Sequence, residues 1–392
     1  MNDPIVILSA ARTPIGGFLG ELAPLSAIDL GGVAIRAAVE RAGLAPEQVE
    51  EVLFGNCLMA GLRQAPARQA AHAAGLPRSA GATTLTKMCG SGMKAAMLAH
   101  DLAVAGSAQV IVAGGMESMS NAPYLLPKGR TGLRMGHGQV LDHMMTDGLE
   151  DAYEGKAMGL FAEDCASHYG FSRAEQDAFA VRSTERSKRA NEDGSFDWEL
   201  APVTVQTRKG AVTVAHDEQP FKAQLDKIAG LRPAFRPDGT ITAANASSIS
   251  DGAAALVIAR MSVAQRLGLS PVARLVAHTT HAHDPQWFTT APVGAIAKLY
   301  EKTGWQTRDV DLFEINEAFA VVTMAAMREH GLSPEITNIH GGACALGHPI
   351  GASGARILAT LLGGLRRTGG KRGVAALCIG GGEAVACAIE ML

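Results

Sequence analysis

Short apolar runs alternate with stretches of helical periodicity along most of the chain. In the N-terminal third, the apolar runs predict strands at 5–9, 49–55, 82–88 and 108–113, and the periodic stretches predict helices at 26–42, 66–74 and 93–103. Further along, the pattern predicts a strand at 251–259, a short helix at 262–268 and a second alternating run that begins with a strand at 274–279. This alternation of strands and helices indicates a layered α/β architecture.

The segment between the two alternating runs has a different character. From residue 119 to residue 250, prolines and glycines interrupt the pattern, and two helices are predicted at 159–169 and 173–191. Ser172 and Glu175 have the spacing of a capping box at the start of the second helix. We interpret the segment as a loop domain inserted into the first α/β unit. The predicted regions are an N-terminal α/β half at 1–118, the inserted domain at 119–250, the return of the first half at 251–270 and a C-terminal α/β half at 271–392.

An internal repeat relates the two α/β halves. Each half presents the same order of strands and helices, and matching segments lie at a nearly constant separation. The matches join 40–44 to 301–305 at an offset of 261, Ser91-Gly92 to Ser353-Gly354 at 262, and 110–117 to 376–383 at 266. Two similar halves predict a pseudo-two-fold arrangement, with the active site where the halves meet.

Composition narrows the class of protein. The chain has 392 residues, of which 47% are hydrophobic and 19% are charged, as expected of a globular protein with core enough for two or three domains. The formal net charge is −3 and no basic stripe is present, which argues against a nucleic-acid partner. No apolar run reaches the roughly 20 residues that a membrane-spanning helix needs.

Three further patterns bear on location and on cofactors. The N-terminus enters an apolar strand directly, so no signal peptide is predicted. The six cysteines include no CxxC pair and no zinc-finger spacing, which favours a reducing cytoplasm. No GxGxxG follows the first strand, which argues against a dinucleotide-binding protein.

Cys89 is the strongest candidate for a nucleophile. It ends the strand predicted at 82–88, and the Gly-Ser-Gly that follows leads into a helix whose N-terminus faces the thiol. Because a helix N-terminus favours a thiolate, the pKa of Cys89 is predicted to lie below the roughly 8.5 of a free thiol. The alternative is a small buried side chain without chemistry. That alternative is adopted for Cys57, Cys165, Cys344 and Cys387.

The repeat supplies partners for this thiol. The glycine-rich turn at 341–354 corresponds to the Cys89 turn, and it places His348 opposite Cys89, a pairing that can form a thiolate. Cys378 ends an apolar strand before three glycines, where a thiol can act as acid or base and exposed N–H groups can form an oxyanion hole. Asn316 also ends a strand, and its amide can hold a water or a carbonyl oxygen. The structural alternatives are that His348 is only a residue of a turn, that Cys378 is a packed thiol and that Asn316 is a helix N-cap.

These motifs together resemble the thiolase family, which includes acetyl-CoA acetyltransferases and 3-ketoacyl-CoA thiolases. The resemblance covers essentially the whole chain and depends on several motifs in one order. They are Arg12-Thr13-Pro14, Pro66-Ala67-Arg68-Gln69, Cys89-Gly90-Ser91-Gly92, Gly114 to Ser120 (GGMESMS), Asn245-Ala246-Ser247 with Asp251 to Ala254 (DGAA), Asn316-Glu317-Ala318-Phe319, Gly347-His348-Pro349 and Cys378 to Gly382 (CIGGG).

The resemblance implies a five-layer αβαβα fold of two similar halves, with the inserted loop domain over the site for coenzyme A. It implies an acyl-CoA:acetyl-CoA C-acyltransferase, which cleaves 3-ketoacyl-CoA by thiolysis and catalyses the reverse Claisen condensation by a ping-pong mechanism. Acyl-CoA, acetyl-CoA and CoA would be its substrates, and no metal or redox cofactor would take part. The implied protein is a cytoplasmic enzyme of fatty acid metabolism, including β-oxidation, and a homotetramer built as a dimer of dimers.

The resemblance also implies roles for individual residues. Cys89 would carry the acyl group as a thioester, His348 would activate it and help to bind the thioester oxygen, and Cys378 would move the proton at the α-carbon of the second acyl-CoA. Asn316 would hold a water beside His348 in one oxyanion hole, and the N–H groups of Cys89 and Gly380 would form the other. The implied substrate-binding residues are Ser247, Ala318, Phe319, Met158, Phe288, Phe235 and Leu231.

Some positions depart from the pattern of short-chain thiolases. Ala157-Met158 replaces a His-Met pair, and Phe288 with Thr289 alters the acyl pocket. We therefore expect 3-ketoacyl-CoA longer than acetoacetyl-CoA to be accepted with a graded profile, whereas Phe288 could instead fill the pocket and restrict it to four carbons. Two alternative functions are a β-ketoacyl synthase-type condensing enzyme, which would use one cysteine with two histidines, and a catalytically silent thiolase-like protein that binds acyl-CoA or lipid.

Overall fold

The two halves contain corresponding elements, and a loop-rich segment separates them along the chain. The computed structural model describes residues 3–392, so the first two residues of the predicted N-terminal half lie outside it. The first run contains β1 (Ile5–Arg12), β2 (Gly16–Gly17), α1 (Ala27–Arg41), β3 (Glu51–Gly55), α2 (Pro66–Ala73), β4 (Gly81–Leu85), α3 (Ser91–Ala105) and β5 (Val110–Ser118). The intervening segment contains β6 (Tyr124–Leu125), β7 (Leu141–Asp142), α4 (Met158–Tyr169), α5 (Arg173–Glu192), β8 (Val203–Thr207), β9 (Gly210–Val214) and α6 (Gln219–Lys222). The remainder contains β10 (Ser250–Arg260), α7 (Met261–Arg266), β11 (Ala273–Ala282), α8 (Ala291–Thr303), β12 (Leu312–Ile315), α9 (Ala320–His330), α10 (Ala343–Leu346), α11 (Ser353–Thr368), β13 (Arg372–Ile379) and β14 (Glu383–Met391).

The strands of the two halves form one mixed sheet of ten strands, and the order is the same in each half. It is β4-β3-β5-β10-β1 in the first half and β12-β13-β14-β11 in the second, and β1 joins β11 through Val6 and Ile7. The tenth strand, β2, pairs with β10 outside this order. Strand β3 runs parallel to β4 and β5, as β12 does to β13. The counterpart of the β3–β4 pairing in the second half is a single parallel bridge between Phe313 and Thr337. The repeat in the sequence is therefore a repeat of topology.

Strand pairing gives the true offset of the repeat. Glu51 of β3 lies opposite Ile111 of β5, and Leu312 of β12 lies opposite Gly373 of β13. These pairs correspond to offsets of 261 and 262, so the offset of 266 predicted for 110–117 is wrong by four residues. The two segments are similar in sequence but differ in structure. The glycines of the first segment lie inside β5, whereas those of the second form the turn between β13 and β14.

Side chains of the sheet alternate between hydrophobic layers. In β13, Leu377 and Ile379 share a core with α3 and α11, whereas Val374 and Ala376 share one with α8. The outer face of the first half packs on α1 and α2 in the same way. The layers are thus α1 with α2, the first-half part of the sheet, α3 with α11, the second-half part of the same sheet, and α8 with α9. This arrangement confirms the predicted five-layer αβαβα fold.

Helices α3 and α11 pack together at the centre with their N-terminal turns in contact. A Cβ atom added to Gly92 would lie 2.8 Å from a backbone nitrogen of α11, and one added to Gly354 would lie nearer still to a backbone nitrogen of α3. The contacts are reciprocal, as a pseudo-two-fold axis between the helices requires, and only glycine permits so close an approach. Because Cys89 precedes α3 and His348 precedes α11, this packing brings the two predicted catalytic turns together.

Most predicted elements occur within a few residues of their predicted bounds. Ser26 caps α1 and Ser172 caps α5, each within a reciprocal capping box. The strand predicted at 82–88 is shorter than expected, because β4 ends at Leu85. No helix among residues 3–392 combines the length and apolarity that crossing a membrane would need.

Candidate active site

A cavity of about 430 Å³ opens where the two halves and the inserted segment meet. Its volume is typical of a site for a small organic ligand. Nine of the residues predicted from the sequence line this cavity: Cys89, His348, Gly380, Ser247, Ala318, Phe319, Met158, Phe288 and Phe235.

Three predicted residues do not line the cavity. Cys378 is fully buried and packs in the hydrophobic cluster that contains Phe288 and Phe319. Asn316 is fully buried directly after β12. Leu231 is half-buried elsewhere in the inserted segment, so the geometry does not support its predicted part in substrate binding.

Cys89 lies on a strained turn between β4 and α3. Met88, the residue before it, has a φ of 45°, which is uncommon for any residue other than glycine. The Ser91 hydroxyl holds the turn, because it accepts a hydrogen bond from the Lys87 N–H at 2.8 Å and donates one to the Met88 carbonyl at 2.7 Å. The thiol is half-buried at the cavity wall, so a ligand in the cavity can reach it.

The thiol of Cys89 is protonated in the ligand-free protein at neutral pH. Burial raises its pKa to about 11, although the N–H groups of Gly380 and of Cys89 itself act in the opposite direction. The negative charge of Glu117 adds to the increase. The prediction of an unusually acidic thiol is therefore wrong for this state, because the loss of water around the sulfur outweighs its polar neighbours. A base has to remove the proton during the reaction.

The hydrogen bonds of His348 identify the nitrogen that can act as this base. Its Nδ1 lies 2.6 Å from the Ser353 hydroxyl, and that hydroxyl donates its own proton to the Pro349 carbonyl at 3.0 Å. Nδ1 must therefore carry a proton and donate it to Ser353, and Nε2 keeps its lone pair. Nε2 is buried and has no hydrogen-bond partner among residues 3–392. It is free to accept a proton.

The imidazole of His348 is neutral at pH 7. Burial and, to a smaller extent, the positive charge of Arg356 lower its pKa to about 3. A neutral imidazole and a neutral thiol suit general-base catalysis, in which proton transfer accompanies nucleophilic attack. The pair therefore differs in resting protonation state from the thiolate that the sequence led us to expect.

Asn316 presents an amide nitrogen that the fold leaves unpaired. Its Oδ1 accepts a hydrogen bond from Arg356 at 3.4 Å, whereas its Nδ2 is buried without a hydrogen-bond partner in the described part of the chain. A buried N–H needs an acceptor, so Nδ2 can bind an oxygen of a substrate or a water. The alternative role as a helix N-cap is wrong, because Phe319 occupies that position before α9.

Cys378 lies near the end of β13, opposite Ala384 of β14. Burial raises the pKa of its thiol well above the usual range, and the neighbouring thiols of Cys89 and Cys165 act in the same direction. The thiol is therefore protonated at rest and suited to donate a proton.

Glu117 is a buried carboxylate that joins the two halves behind the cavity. It accepts hydrogen bonds from the Asn56 side chain at 2.6 Å and from the N–H groups of Cys57 at 2.9 Å, Leu58 at 3.0 Å and Gly351 at 2.9 Å. The first three donors belong to the loop after β3, and Gly351 belongs to the turn that carries His348. Glu117 thus fixes the histidine turn to the first half.

We expect Glu117→Ala to lower the free energy of unfolding by about 3 kcal/mol or more, because buried N–H groups would lose their acceptor. Urea denaturation at matched protein concentration measures this change. Glu335→Ala is the control, since the Glu335 side chain is 85% exposed. A loss no greater than that of the control would contradict the assigned role of Glu117.

One group of side chains among residues 3–392 has the spacing of metal ligands, and it lies outside the cavity. His100 and His278 both approach Oδ1 of Asp101, at 3.1 and 2.9 Å. These hydrogen bonds satisfy the three side chains without an ion. The expectation that no metal takes part in the chemistry stays a prediction.

Sequence reasoning missed three residues that hold the predicted catalytic groups: Ser353, Arg356 and Glu117. A signal was available for Glu117, since a single carboxylate in the apolar run 110–118 indicates a buried acid that needs donors. Ser353 and Arg356 begin α11 shortly after His348. Their contacts depend on the direction of that helix, which the local pattern does not give.

Comparison with known proteins supplies relatives of the whole chain. The sequence profiles of the thiolase N-terminal and C-terminal domains match residues 5–262 and 269–391. The chain is 50% identical over 391 residues to acetyl-CoA acetyltransferase 1 of Arabidopsis thaliana, covering 99% of this chain and 94% of that protein. It is 48% identical to acetyl-CoA acetyltransferase of Cupriavidus necator over all of both chains, and 48% identical to the cytosolic acetyl-CoA acetyltransferase of Mus musculus over 99% and 98%. The crystal structure of Acat5 thiolase from Ascaris suum in complex with coenzyme A matches with a TM-score of 0.94 at 42% identity, covering 99% of this chain and 100% of that one.

Proposed function

The chain belongs to the thiolase family, and on that premise we propose how it transfers acyl groups between coenzyme A thioesters. It is a thiolase, an acyl-CoA:acetyl-CoA C-acyltransferase, and the substrates that we propose are acetyl-CoA, acetoacetyl-CoA and CoA. One observation carries the proposal: the Cys89 thiol, the His348 imidazole and the Gly380 backbone line a single cavity at the junction of the halves. The names of the relatives support acetyl as the transferred group.

Thiolysis begins with attack of Cys89 on the 3-keto carbon of acetoacetyl-CoA. The S–C bond forms while Nε2 of His348 takes the thiol proton. The ketone oxygen gains negative charge, which the N–H groups of Cys89 and Gly380 stabilise. When that oxygen regains its double bond, the C2–C3 bond breaks. The electron pair of this bond stays on C2, and C2 takes a proton from Cys378. The products of this half-reaction are acetyl-Cys89 and acetyl-CoA.

In the second half-reaction, the thiol of CoA attacks the thioester carbon of acetyl-Cys89. The Cys89 sulfur leaves, and a second acetyl-CoA forms. Two protons, one from CoA and one held by His348, return to Cys89 and Cys378, so the protein regains its starting state. In the first half-reaction, breaking of the C2–C3 bond forms an enolate of acetyl-CoA. The His348 imidazolium and a water bound to Asn316 stabilise the oxygen of that enolate. Condensation follows the same steps in reverse.

Other features of the proposal follow from the resemblance. Acid–base and nucleophilic side chains supply every step, so the mechanism needs no metal or redox cofactor, and the coenzyme A thioesters are substrates. The relative from Mus musculus is named cytosolic. The cytoplasmic location, the part in β-oxidation and the homotetramer built as a dimer of dimers remain proposals.

The length of the acyl group depends on Phe288. This side chain is 3% exposed, lines the cavity, and is held edge-on between Phe161 and Phe319 with ring centroids 6.4 Å from each. A ring fixed on two sides cannot swing away, so it forms a wall of the acyl pocket. Of the two alternatives left open by the sequence, this geometry favours restriction to four carbons, and we propose acetoacetyl-CoA as the preferred 3-ketoacyl substrate. Acceptance of longer chains stays a prediction.

Phe288→Ala is expected to raise kcat/KM for a six-carbon 3-ketoacyl-CoA about tenfold relative to acetoacetyl-CoA, because each methylene that gains room is worth about 1–3 kcal/mol at most. Thiolysis rates on four-, six-, eight- and ten-carbon substrates measure the effect. Trp287→Ala is the control, since Trp287 does not line the cavity. If the parent enzyme already cleaves all four substrates at similar rates, the proposed restriction to four carbons is wrong and longer 3-ketoacyl-CoA substrates are accepted.

A direct assay distinguishes this proposal from the two alternative functions. Purified protein with acetoacetyl-CoA and CoA should yield two molecules of acetyl-CoA for each acetoacetyl-CoA consumed. A silent thiolase-like protein would bind the thioesters without turnover. A β-ketoacyl synthase-type enzyme would instead condense a malonyl thioester with loss of carbon dioxide.

A further inference from the structure

Two short loops supply the backbone donors beside the Cys89 sulfur. The first runs from Thr86 to Gly90 and contains the strained residue Met88. The second is the turn of three glycines between β13 and β14, and it has no side chain of its own to pack. Its second and third glycines have φ values of 94° and 85°, in the region that other residues avoid. Each loop joins two elements of the fold, β4 to α3 and β13 to β14, but lies outside their regular hydrogen bonding.

The loops touch each other at the reacting sulfur. A Cβ atom added to Gly90 would collide with the Ile379 side chain, which precedes the glycine turn. Cys89 and Gly380 line the same cavity, and the N–H groups of both residues lower the pKa of the Cys89 thiol. The spacing of these donors is set by how the first loop is held against the second.

One ion pair crosses the gap between the loops. Nζ of Lys87 lies 2.6 Å from Oε2 of Glu383, although 296 residues separate them along the chain. Lys87 stands two residues before Cys89, and Glu383 is the first residue after the glycine turn. The ion pair therefore joins the first loop to the residue that directly follows the second loop.

We infer that Lys87 and Glu383 are positioning residues, which hold the N–H donors of Cys89 and Gly380 at the separation that the transition state requires. The inference rests on the proposed function. The side chains are 19% and 33% exposed, and ion pairs so placed add little to global stability. The effect of this clamp should appear in turnover, because small displacements of catalytic donors slow a reaction without unfolding the protein.

The test is a double-mutant cycle in the full-length protein. Lys87→Gln and Glu383→Gln are each expected to lower kcat for thiolysis of acetoacetyl-CoA about tenfold, with KM changed less than about twofold. The double variant should be no slower than the slower single variant, since the pair is already broken. Exchange of the charges, Lys87→Glu with Glu383→Lys, should restore most of the rate.

Glu390→Gln is the matched control. Glu390 lies on β14, as Glu383 does, and pairs with Arg274 at 3.1 Å with similar exposure, but it lies at the far end of the strand. Single variants that are no slower than this control would overturn the inference. Losses that multiply in the double variant would also overturn it, because the two side chains would then act independently.

A second readout does not depend on thiolase activity. The double variant keeps the net charge of the parent, so a change in the alkylation rate of Cys89 reports geometry rather than charge. If the clamp holds the Gly380 N–H against the sulfur, its loss should slow alkylation by iodoacetamide about threefold at a fixed pH below the thiol pKa. An unchanged alkylation rate would contradict the clamp, whereas a parent protein without thiolysis would contradict the proposed function.

Discussion

Replacement of Cys89 with alanine is expected to reduce thiolysis about 10⁴-fold or more and to leave the fold intact. Without the thiol, no acetyl-enzyme forms, and CoA would have to attack acetoacetyl-CoA directly. The substitution removes one half-buried sulfur atom and leaves the Ser91 hydrogen bonds that hold the turn, so the free energy of unfolding should change little.

Mass spectrometry of the protein after incubation with acetyl-CoA measures the intermediate, and steady-state thiolysis measures the rate. Cys344→Ala is the matched control, because Cys344 is also half-buried. Alkylation at low reagent concentration should label Cys89 first and should accelerate as the pH rises toward its pKa of about 11. An acetylated Cys344, or a Cys89→Ala variant that keeps its activity, would refute the assignment.

Replacement of Cys378 with serine should separate the two kinds of chemistry. The variant is expected to form acetyl-Cys89 from acetyl-CoA at nearly the parent rate, but to lose Claisen condensation about 10³-fold. A serine hydroxyl is a much weaker acid than a thiol, so it cannot exchange a proton with the α-carbon. Acetylation of Cys89 needs only the His348 base and the backbone donors.

Two measurements test this separation. Transfer of an isotopically labelled acetyl group to Cys89 follows the first step, and exchange of the α-hydrogens of acetyl-CoA with deuterated water follows the second. Cys387→Ser serves as the control for a buried thiol, because Cys387 lies in the central core away from the cavity. Equal losses in both steps would show that Cys378 does not act as the separate acid–base group.

The sequence predicted most of the architecture because its signals are local. The apolar run before Cys378 predicted β13, and Ser172 with Glu175 marked the start of α5. The repeat at Ser91 and Ser353 is a comparison of two local patterns, and it correctly joined the starts of α3 and α11. The match at offset 266 was wrong because two similar glycine-rich segments form a strand in one half and a turn in the other.

The parts of the site that could not be predicted depend on contacts between distant residues. Glu117 and Gly351 are 234 positions apart, and no local pattern indicates that one binds the other. The position of Cys89 before a helix was visible in the sequence, but the burial that raises its pKa arises from both halves and the inserted segment. Local dipoles can be read from a sequence, whereas desolvation is a property of the assembled fold.

The shared central layer has a consequence for the order of synthesis. The apolar face of α3 packs against α11, and the whole inserted segment and most of the second half lie between these two helices along the chain. A ribosome that has completed the first half therefore displays an uncovered hydrophobic helix until α11 has emerged. Such a nascent chain exposes a surface that chaperones bind and that promotes aggregation. Completion of folding must wait for the final helix and the last two strands, so premature termination in that region should yield an insoluble product rather than a smaller folded domain.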